Sequence, residues 1–356
     1  MEQILVGMSG GVDSSVAALL LMEAYEVVGA TMKLFGNADI VTMGKTCCAI
    51  TDVEDARRVC HRLGIPHHVF QFTEEFHREV IQRFADGYAR GETPNPCIDC
   101  NRFVKFPQMI RRAEQLGMEK IATGHYARIC RNEATGRYEL LRARDLNKDQ
   151  SYVLYAMTQD ELARTVLPLG DKTKAEIREI AEAKGLVTAD KPDSQDICFV
   201  PDGDYGAFLT EKMGLRADSG DIVDQAGRVL GRHRGAIRYT IGQRRGLGIA
   251  AEMPLYVNGK DMARNTVTVG SERELMRDRF TVRTPNWIAI ETLDGPLDVT
   301  VMTRYRDKEE RATLYPLADG GVEVRLEGPK RAVTPGQAAV FYQGDVVVGG
   351  GVIQHV

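Results

Sequence analysis

Residues 5–15 read Leu-Val-Gly-Met-Ser-Gly-Gly-Val-Asp-Ser-Ser, a composition suited to binding a phosphate group. Glycines let the backbone approach a ligand closely, and backbone N–H groups at a helix N-terminus attract anions. A helix cap would need only Asp13 or Ser14, so two glycines and three serines exceed that role. No Gly-Lys-Ser/Thr follows, and the spacing is not that of a dinucleotide fingerprint. The sequence therefore predicts a phosphate loop of another class.

Seven cysteines form the second group with chemical potential. Cys97 and Cys100 form a Cys-x-x-Cys pair, a pattern found in zinc, redox and iron–sulfur sites. The odd number in a large chain argues against a disulfide framework. Cys60 and Cys130 lie in apolar helix and strand patterns, which predicts small core residues. The remaining cysteines are Cys47, Cys48 and Cys198.

The phosphate loop resembles the pyrophosphate loop of ATP pyrophosphatases, a group that includes amide-forming synthetases and tRNA-thiolating enzymes. Five further stretches together resemble the tRNA-specific 2-thiouridylases, and the likeness extends from residue 7 to about residue 345. These stretches are TPNPCIDCN (93–101), TGHYAR (123–128), LNKDQSYVLY (146–155), SQDICF (194–199) and YTIGQRRGLG (239–248).

The resemblance implies ATP-dependent sulfur transfer to the wobble uridine of tRNA. Cys198 would carry a persulfide, Cys100 would be the partner nucleophile, and the two would form a transient disulfide. ATP would be enclosed by Gly7, Met8, Ser9, Gly10, Gly11, Val12, Asp13, Ser14, Met32 and Gly124. The target uridine would contact Asn95, Pro96 and Cys97, and the rest of the tRNA would contact His125, Lys148, Asp149, Gln150, Arg304, Tyr305 and Gln337.

One position departs from the family pattern. An acidic residue often follows Asn-Pro in this family, but here that residue is Cys97, with Asp99 two positions on. Either residue is a candidate for the missing role. Asp13 is a candidate for positioning Mg²⁺ with ATP, or for a helix cap. The immediate sulfur donor would be a sulfur-relay protein or a cysteine desulfurase, and the chain is expected to act as a monomer.

Alternating strand and helix patterns in the first half predict an α/β fold with a doubly wound parallel sheet. Ligands bind such sheets at the carboxyl ends of strands, so the phosphate loop and residues 123–128 are expected to face one crevice. Residues 150–186 are predicted to be helical. The expected domains are an ATP-pyrophosphatase domain (1–203), a small β-rich tRNA-contacting domain (204–268) and a C-terminal β-barrel or sandwich (269–356).

The overall charge gives little sign of a nucleic-acid partner. The 356 residues carry a net charge of −4, but residues 228–245 hold six arginines and no acidic residue. The part from 232 to 245 is therefore expected to contact RNA phosphates. No apolar run approaches the roughly 20 residues of a membrane span. A cytoplasmic protein that binds neither membrane nor DNA is expected.

Three alternatives remain at this stage. An amide-forming ATP pyrophosphatase would leave the cysteines and the β-rich C-terminus without a role. A non-catalytic RNA-binding module could use the cysteines for a metal. An iron–sulfur-dependent thiolase would use Cys97, Cys100 and a further cysteine as iron ligands.

Overall fold

A computed structural model describes residues 1–35, 50–186, 188, 197–200 and 203–354. The chain divides into two compact units. The first unit contains Met1–Val80, Pro96–Gly203 and Gly344–Val348, and the second contains Ile81–Asn95, Asp204–Gln343 and Gly349–Val356. Among the described residues, no helix is long and apolar enough to cross a membrane.

The first unit is built on a five-stranded parallel sheet with strand order β3-β2-β1-β4-β7. Its central strand is fully buried at Ile4, Leu5 and Val6, as a strand covered by helices on both faces requires. This confirms the predicted α/β class. The strands of this unit are β1 (Gln3–Gly7), β2 (Glu26–Lys33), β3 (His67–Gln71), β4 (Lys120–Ala122), β5 (Arg128–Arg131), β6 (Tyr138–Leu141) and β7 (Thr165–Val166).

The helices of the first half alternate with the strands of the parallel sheet, as the sequence pattern predicts. Two runs contain a π-helical part, His77–Gln82 and Cys100–Lys105, which apolar periodicity did not indicate. The α-helices up to residue 183 are Val12–Leu21, Ile50–Leu63, Thr73–Phe76, Arg83–Ala89, Pro96–Asp99, Phe106–Gln115, Ser151–Leu154, Gln159–Arg164 and Lys174–Ala183.

The prediction of a helical stretch over 150–186 is wrong in part. Its middle forms β7, which pairs with β4 through Ile121 and Thr165 and extends the parallel sheet. The helix Lys174–Ala183 is present within this stretch, and its N-cap is Thr173. Thr173 and Glu176 form a reciprocal capping box.

The two cysteines that were assigned to the core differ in outcome. Cys60 is 1% exposed and packs among Met8, Val59 and Ala122, and burial raises the pKa of its thiol to about 11. The core assignment of Cys130 is wrong, because Cys130 is exposed on the β5–β6 hairpin, where its thiol lies beside Glu139. A two-stranded hairpin has one face that the sheet does not cover, so apolar neighbours in sequence did not bury it.

The second unit is rich in β-structure, as predicted. A four-stranded sheet has the order β10-β11-β8-β9, and a closed barrel has the order β12-β15-β14-β13-β16-β17, with β12 pairing back to β17. Closure removes exposed strand edges and selects the barrel over the sandwich. The strands are β8 (Gly220–Val223), β9 (Val229–His233), β10 (Tyr256–Asp261), β11 (Thr266–Gly270), β12 (Met276–Trp287), β13 (Leu297–Met302), β14 (Glu310–Pro316), β15 (Val322–Arg331), β16 (Ala338–Gln343) and β17 (Val346–Ile353).

Short helical turns complete the second unit. They are Tyr205–Ala207, the π-helical Phe208–Lys212, and the 3₁₀ turns Ala236–Arg238 and Glu272–Leu275. The first residue of β17, Val346, also pairs with Leu141 of β6, and both of these residues belong to the first unit.

Candidate active site

The phosphate loop connects the buried end of β1 to the helix Val12–Leu21. Gly10 has φ +75°, and a Cβ there would lie 2.3 Å from the carbonyl oxygen of Asp52, so only glycine fits. The helix begins at Gly11 without a side-chain cap, so neither Asp13 nor Ser14 has the simple capping role. The helix N-terminus is therefore directed at the loop, where the Gly11 N–H has only a long contact of 3.4 Å with Ser9 Oγ.

Serine hydroxyls line the same loop. The backbone N–H of Ser9 donates to Ser14 Oγ over 3.1 Å, and the two hydroxyl oxygens are 3.2 Å apart. Ser15 Oγ donates to the carbonyl of Gly11 over 2.8 Å. Ser14 and Ser15 are buried, so these bonds hold the loop in one shape. The geometry suits a site that binds oxygen-rich anions.

Gly124 brings the loop after β4 against the start of the helix Val12–Leu21. A Cβ on Gly124 would lie 2.9 Å from both the carbonyl carbon of Asp13 and the nitrogen of Ser14. Such a close backbone approach requires glycine. The two segments that were expected to share one crevice are therefore in contact. Met32, at the end of neighbouring β2, is half-buried and pairs with Phe70.

Asp13 has a partner that the sequence did not suggest. Lys174 Nζ lies 2.8 and 2.9 Å from the two carboxylate oxygens, and the Tyr126 hydroxyl donates to one of them over 2.6 Å. Lys174 is 8% exposed. A signal was present in the sequence, because a lysine in the first turn of a helix opposes the helix dipole unless an anion lies nearby.

The loop at 145–150 is joined to the same cluster. Gln150 Oε1 accepts from the Tyr126 N–H over 2.9 Å, and the Gln150 N–H donates to the Tyr126 carbonyl over 2.8 Å. Asp145 accepts from the Lys174 backbone N–H over 3.1 Å. Three chain segments therefore meet around Asp13. We call Asp13, Tyr126, Asp145, Gln150 and Lys174 the Asp13 cluster.

Asp149 points into the protein. Its carboxylate is 7% exposed, lies 3.6 Å from Arg142 and accepts from the Ser151 hydroxyl over 2.7 Å. Burial raises the pKa of this carboxyl, although the hydrogen bond from Ser151 and the charge of Arg142 act in the opposite direction. The structure thus gives Asp149 a loop-holding role, while Lys148 beside it is half-exposed.

His125 packs close to the same helix-lined crevice. Its Nδ1 lies 2.7 Å from Thr123 Oγ1, and its ring centroid is 5.8 Å from that of Phe106. Burial, together with the positive charge of Lys105, lowers the pKa of His125 to about 3. The imidazole is therefore neutral at physiological pH and can exchange hydrogen bonds without carrying charge.

Cys97 and Cys100 lie on consecutive helical turns but differ in exposure. Cys97, in the helix Pro96–Asp99, is exposed, whereas Cys100 is 5% exposed and begins the π-helical part Cys100–Lys105. The amide of Asn101 donates to the Val153 carbonyl over 3.0 Å, but its buried Oδ1 has no hydrogen-bond partner. π-Helical turns and unsatisfied buried groups are both typical of functional sites.

Cys198 lies in the short described segment 197–200 and is partly exposed. The neighbouring Phe199 is 1% exposed and packs edge-to-face on Phe76, with ring centroids 6.0 Å apart. Phe199 thereby anchors the segment in the first unit. The flanking residues 189–196 and 201–202, and Cys47 and Cys48, lie outside the described residues.

Three of the expected tRNA-contacting residues belong to the second unit. Arg304 Nη2 donates to the Ala332 carbonyl over 2.8 Å, and Gln337 Nε2 donates to the Thr93 carbonyl over 2.5 Å. Tyr305 is half-buried, with the guanidinium of Arg306 5.3 Å from its ring centroid. Gln337 therefore holds the chain just before Asn95. A direct contact of these side chains with RNA stays a prediction.

The described residues do not supply a ready-made site for Mg²⁺. They contain no group of three or more His, Cys, Asp or Glu side chains placed to hold a metal ion. Asp13, the sequence candidate, has both carboxylate oxygens occupied by Lys174. Magnesium is commonly held by one or two carboxylates plus substrate phosphates, so any such ion would be held chiefly by the nucleotide.

Comparison with known proteins matches family models to three consecutive parts of the chain. Family models match residues 2–202 (tRNA methyl transferase HUP domain), 206–271 (tRNA methyl transferase PRC-barrel domain) and 277–353 (aminomethyltransferase beta-barrel domain). These descriptions mention methyl transfer, whereas the curated relatives carry a different name.

The curated relatives are similar to the chain along almost its whole length. Proteins named tRNA-specific 2-thiouridylase MnmA from Moorella thermoacetica and Acetivibrio thermocellus are 51% and 49% identical to it. A protein of the same name from Clostridium acetobutylicum is 47% identical. In each case 99% of this chain and 99% of the relative are covered. The resemblance seen in the sequence is confirmed, and the chain belongs to the tRNA-specific 2-thiouridylase family.

Proposed function

We propose that the protein uses ATP to replace the C2 oxygen of the tRNA wobble uridine with sulfur, in tRNAs for Lys, Glu and Gln. The observation that carries this proposal is the pre-shaped loop at Gly10, closed by Gly124, in a chain about half identical to named 2-thiouridylases. A glycine-rich loop at a helix N-terminus is suited to the phosphates of ATP.

In the first step, the uridine C2 oxygen attacks the α-phosphorus of ATP. The bond from this phosphorus to the bridging oxygen breaks, and pyrophosphate leaves into the phosphate loop. Carbon C2 then carries AMP as a good leaving group, in place of an oxygen that leaves poorly. Loop residues 7–14, with Met32 and Gly124, enclose the nucleotide in this proposal. Mg²⁺ bound with ATP would offset the phosphate charge.

In the second step, sulfur replaces the activated oxygen. The terminal sulfur of a Cys198 persulfide attacks C2, and AMP leaves. The Cys100 thiolate then attacks the Cys198 sulfur, the S–S bond to the product breaks, and 2-thiouridine is released. A Cys100–Cys198 disulfide remains, which an external thiol reductant reduces. In an alternative order, Cys100 first releases hydrosulfide from the persulfide, and the products are the same.

The Asp13 cluster acts as a positioning group in this proposal. The Lys174 ammonium and the Tyr126 hydroxyl lie 2.6–2.9 Å from the Asp13 carboxylate oxygens. They hold this carboxylate in the first turn of the helix that follows the phosphate loop. Preorganised groups of this kind lower the barrier because they need not rearrange during the reaction. The cluster also connects the loop at 145–150 to the nucleotide site, so binding of RNA there can influence the geometry at ATP.

The remaining assignments belong to the same proposal. Asn95, Pro96 and Cys97 contact the flipped uridine, because chemistry at C2 requires the base to leave the stack. The remaining tRNA contacts in this proposal are made by His125, Lys148, Asp149, Gln150, Arg304, Tyr305 and Gln337. The hydrogen bonds of Asp149, Arg304 and Gln337 also hold the segments on which they lie. A sulfur-relay protein or a cysteine desulfurase loads Cys198. The protein acts as a cytoplasmic monomer with domains at 1–203, 204–268 and 269–356.

Sulfur incorporation into an unmodified wobble-uridine tRNA tests this function, with retardation on a mercury-containing gel as the readout. We expect a shifted band that requires ATP and Mg²⁺ and is lost in both Cys100→Ser and Cys198→Ser. Pyrophosphate release should persist in both variants, because adenylation precedes sulfur transfer. Cys130→Ser, at an exposed hairpin thiol, is the matched control and should retain activity.

Two results would contradict the proposal. If wild-type protein gave no shift with sulfide, persulfide or a desulfurase as donor, the sulfur-transfer function would be wrong. Activity that appears only after iron reconstitution would instead support the cluster-dependent thiolase.

A further inference from the structure

A cavity of about 490 Å³ lies in the second unit, where no residue of the proposed catalytic chemistry is found. Its volume falls within the range of small-molecule sites and is sufficient for one nucleotide. The lining residues are Ala217, Arg234, Arg238, Tyr239, Gln243 and Gly246. We call it the arginine cavity.

Local hydrogen bonds fix the walls of the arginine cavity. Gln243 Oε1 accepts from the Thr240 N–H over 3.1 Å, and Gln243 Nε2 donates to the Arg245 carbonyl over 2.9 Å. On the opposite side, Gly235 has φ +104°, and a Cβ there would lie 2.6 Å from the Cβ of Ala217. The cavity is therefore pre-formed, and a ligand would not have to order its walls.

The charge of the arginine cavity is not neutralised by the protein. Arg234 is exposed and forms no ion pair with any described residue, whereas Arg238 lies 3.9 Å from Asp204 and donates to Thr210 Oγ1 over 3.4 Å. Arg244 and Arg245, on the adjoining turn, are exposed and also form no ion pair within the described ranges. Arg228 differs, since Asp224 lies 2.7 Å from its guanidinium. The positive charge is thus concentrated at the cavity.

Tyr239 gives the arginine cavity an apolar and aromatic wall. This residue is 6% exposed, and its ring packs edge-to-face against His233 with centroids 5.8 Å apart. Guanidinium groups match phosphate oxygens in a two-pronged geometry, and aromatic surfaces pack against sugars and bases. An acidic peptide would use the arginines but not the aromatic wall.

We propose that the arginine cavity binds one phosphodiester of the tRNA substrate together with its attached nucleoside. Arg234 and Arg238 contact the phosphate, and Tyr239 packs against the nucleoside. The proposal rests on the proposed function in one respect, which is that the RNA bound in the cavity is the tRNA substrate of that reaction. It adds a specific binding site to the general expectation that a basic segment contacts phosphates.

The test measures binding of unmodified tRNA without ATP or sulfur donor, by fluorescence anisotropy from 50 to 300 mM KCl. Each phosphate contact contributes about 0.7–0.9 to the slope of log Kd against log salt. We expect Arg234→Ala/Arg238→Ala, which removes the contact with one phosphate, to lower that slope by about 0.8 and to weaken binding roughly tenfold at low salt. Arg228→Ala, the matched control, should stay within about twofold of wild type. Thermal unfolding of each variant checks that the fold is intact.

Three outcomes would overturn the proposal. The first is an unchanged salt slope in the folded double variant. The second is an equal loss of tRNA affinity in Arg228→Ala, which would indicate that any positive charge on this surface attracts the RNA and that the cavity is not a specific site. The third is a double variant that weakens binding of the sulfur-donor protein but not of tRNA. Failure of the proposed function is distinguishable, because it would appear as absent sulfur transfer in wild type with tRNA binding intact.

Discussion

The phosphate loop and the segment that carries Cys100 lie in the same unit but are held in different ways. The loop is fixed by backbone contacts that admit only glycine at Gly10 and Gly124, and by the partly buried pair of Asp13 and Lys174. Cys100 begins a π-helical part directly after a four-residue helix, and the neighbouring Asn101 has an unsatisfied amide oxygen.

This difference indicates how the two halves of the proposed reaction would be supported. Phosphate binding needs fixed donors, and a loop held in one conformation supplies them. The π-helical turn and the unsatisfied buried oxygen beside Cys100 are typical of functional sites, which suits a thiol proposed to attack Cys198. Four substitutions test this contrast, from the largest expected effect to the smallest.

Gly10→Ala should disrupt the phosphate loop, which is the more rigid of the two regions compared. The new Cβ would lie 2.3 Å from the Asp52 carbonyl oxygen at φ +75°. We expect a loss of about 2–4 kcal/mol in the free energy of unfolding and at least a tenfold loss of ATP affinity. Gly64→Ala is the matched control, since its φ is +70° but no atom lies within 4 Å. It should cost only about 1 kcal/mol. Chemical denaturation and nucleotide titration measure both effects.

Lys174→Met should remove the ion pair that holds Asp13 at the start of the helix behind the phosphate loop. Among the described residues, the Asp13 carboxylate would keep the Tyr126 hydroxyl as its side-chain partner, and breaking a partly buried pair on one side is costly. Because Asp13 is 30% exposed, we expect about 1–3 kcal/mol of destabilisation. Pyrophosphate release should fall roughly a hundredfold in kcat, with a smaller change in KM for ATP.

A purely structural role for Lys174 makes a different prediction. In that case the double variant Asp13→Asn/Lys174→Met, which removes both charges, would recover turnover together with stability. We expect the double variant to recover the free energy of unfolding but not the turnover. Lys184→Met, an exposed lysine beyond the end of the same helix, should match wild type in both measurements.

His125→Gln should change how stability depends on pH. Because burial holds the folded pKa of His125 near 3, the unfolded chain binds the extra proton between that value and about 6.5. The neutral His125 therefore contributes to the free energy of unfolding of the wild-type protein above about pH 6.5, and this contribution is lost as the pH falls. We expect the variant to lose about 1–2 kcal/mol less than wild type between pH 7 and pH 5. Urea unfolding at both pH values gives the difference, and equal losses would contradict the assignment.

Asn101→Leu should slow sulfur transfer at the Cys100 turn, with little effect on the free energy of unfolding. It removes an amide that donates to Val153 and also removes an unsatisfied buried oxygen, and these two effects offset each other. We expect a stability change within about 1 kcal/mol and a several-fold slower sulfur transfer, because the Cys100 turn loses the hydrogen bond from Asn101 to the Val153 carbonyl. Unchanged transfer on the mercury gel would show that this turn needs no such tether.

The sequence predicted much of this arrangement, for identifiable reasons. The apolar run at residues 4–6 and the glycines that follow indicated the strand, loop and helix directly, since local periodicity and backbone freedom act over short distances. The exposure of Cys130 was not predicted, because apolar neighbours do not say whether a hairpin is covered. The strand Thr165–Val166 was missed because two residues carry almost no periodic signal.

By itself, the sequence determined the fold class, the phosphate loop, the cysteines and the family, because each depends on short stretches whose residue types restrict the backbone or the chemistry. Only the tertiary structure decided that Lys174, 161 residues away from Asp13, would pair with it. It also turned Asp149 inward, and placed Arg234 and Arg238 beside one cavity while Asp224 neutralised Arg228. Charges and hydrogen bonds act through space over a few ångströms, so their partners follow from the packing of distant segments and not from spacing along the chain.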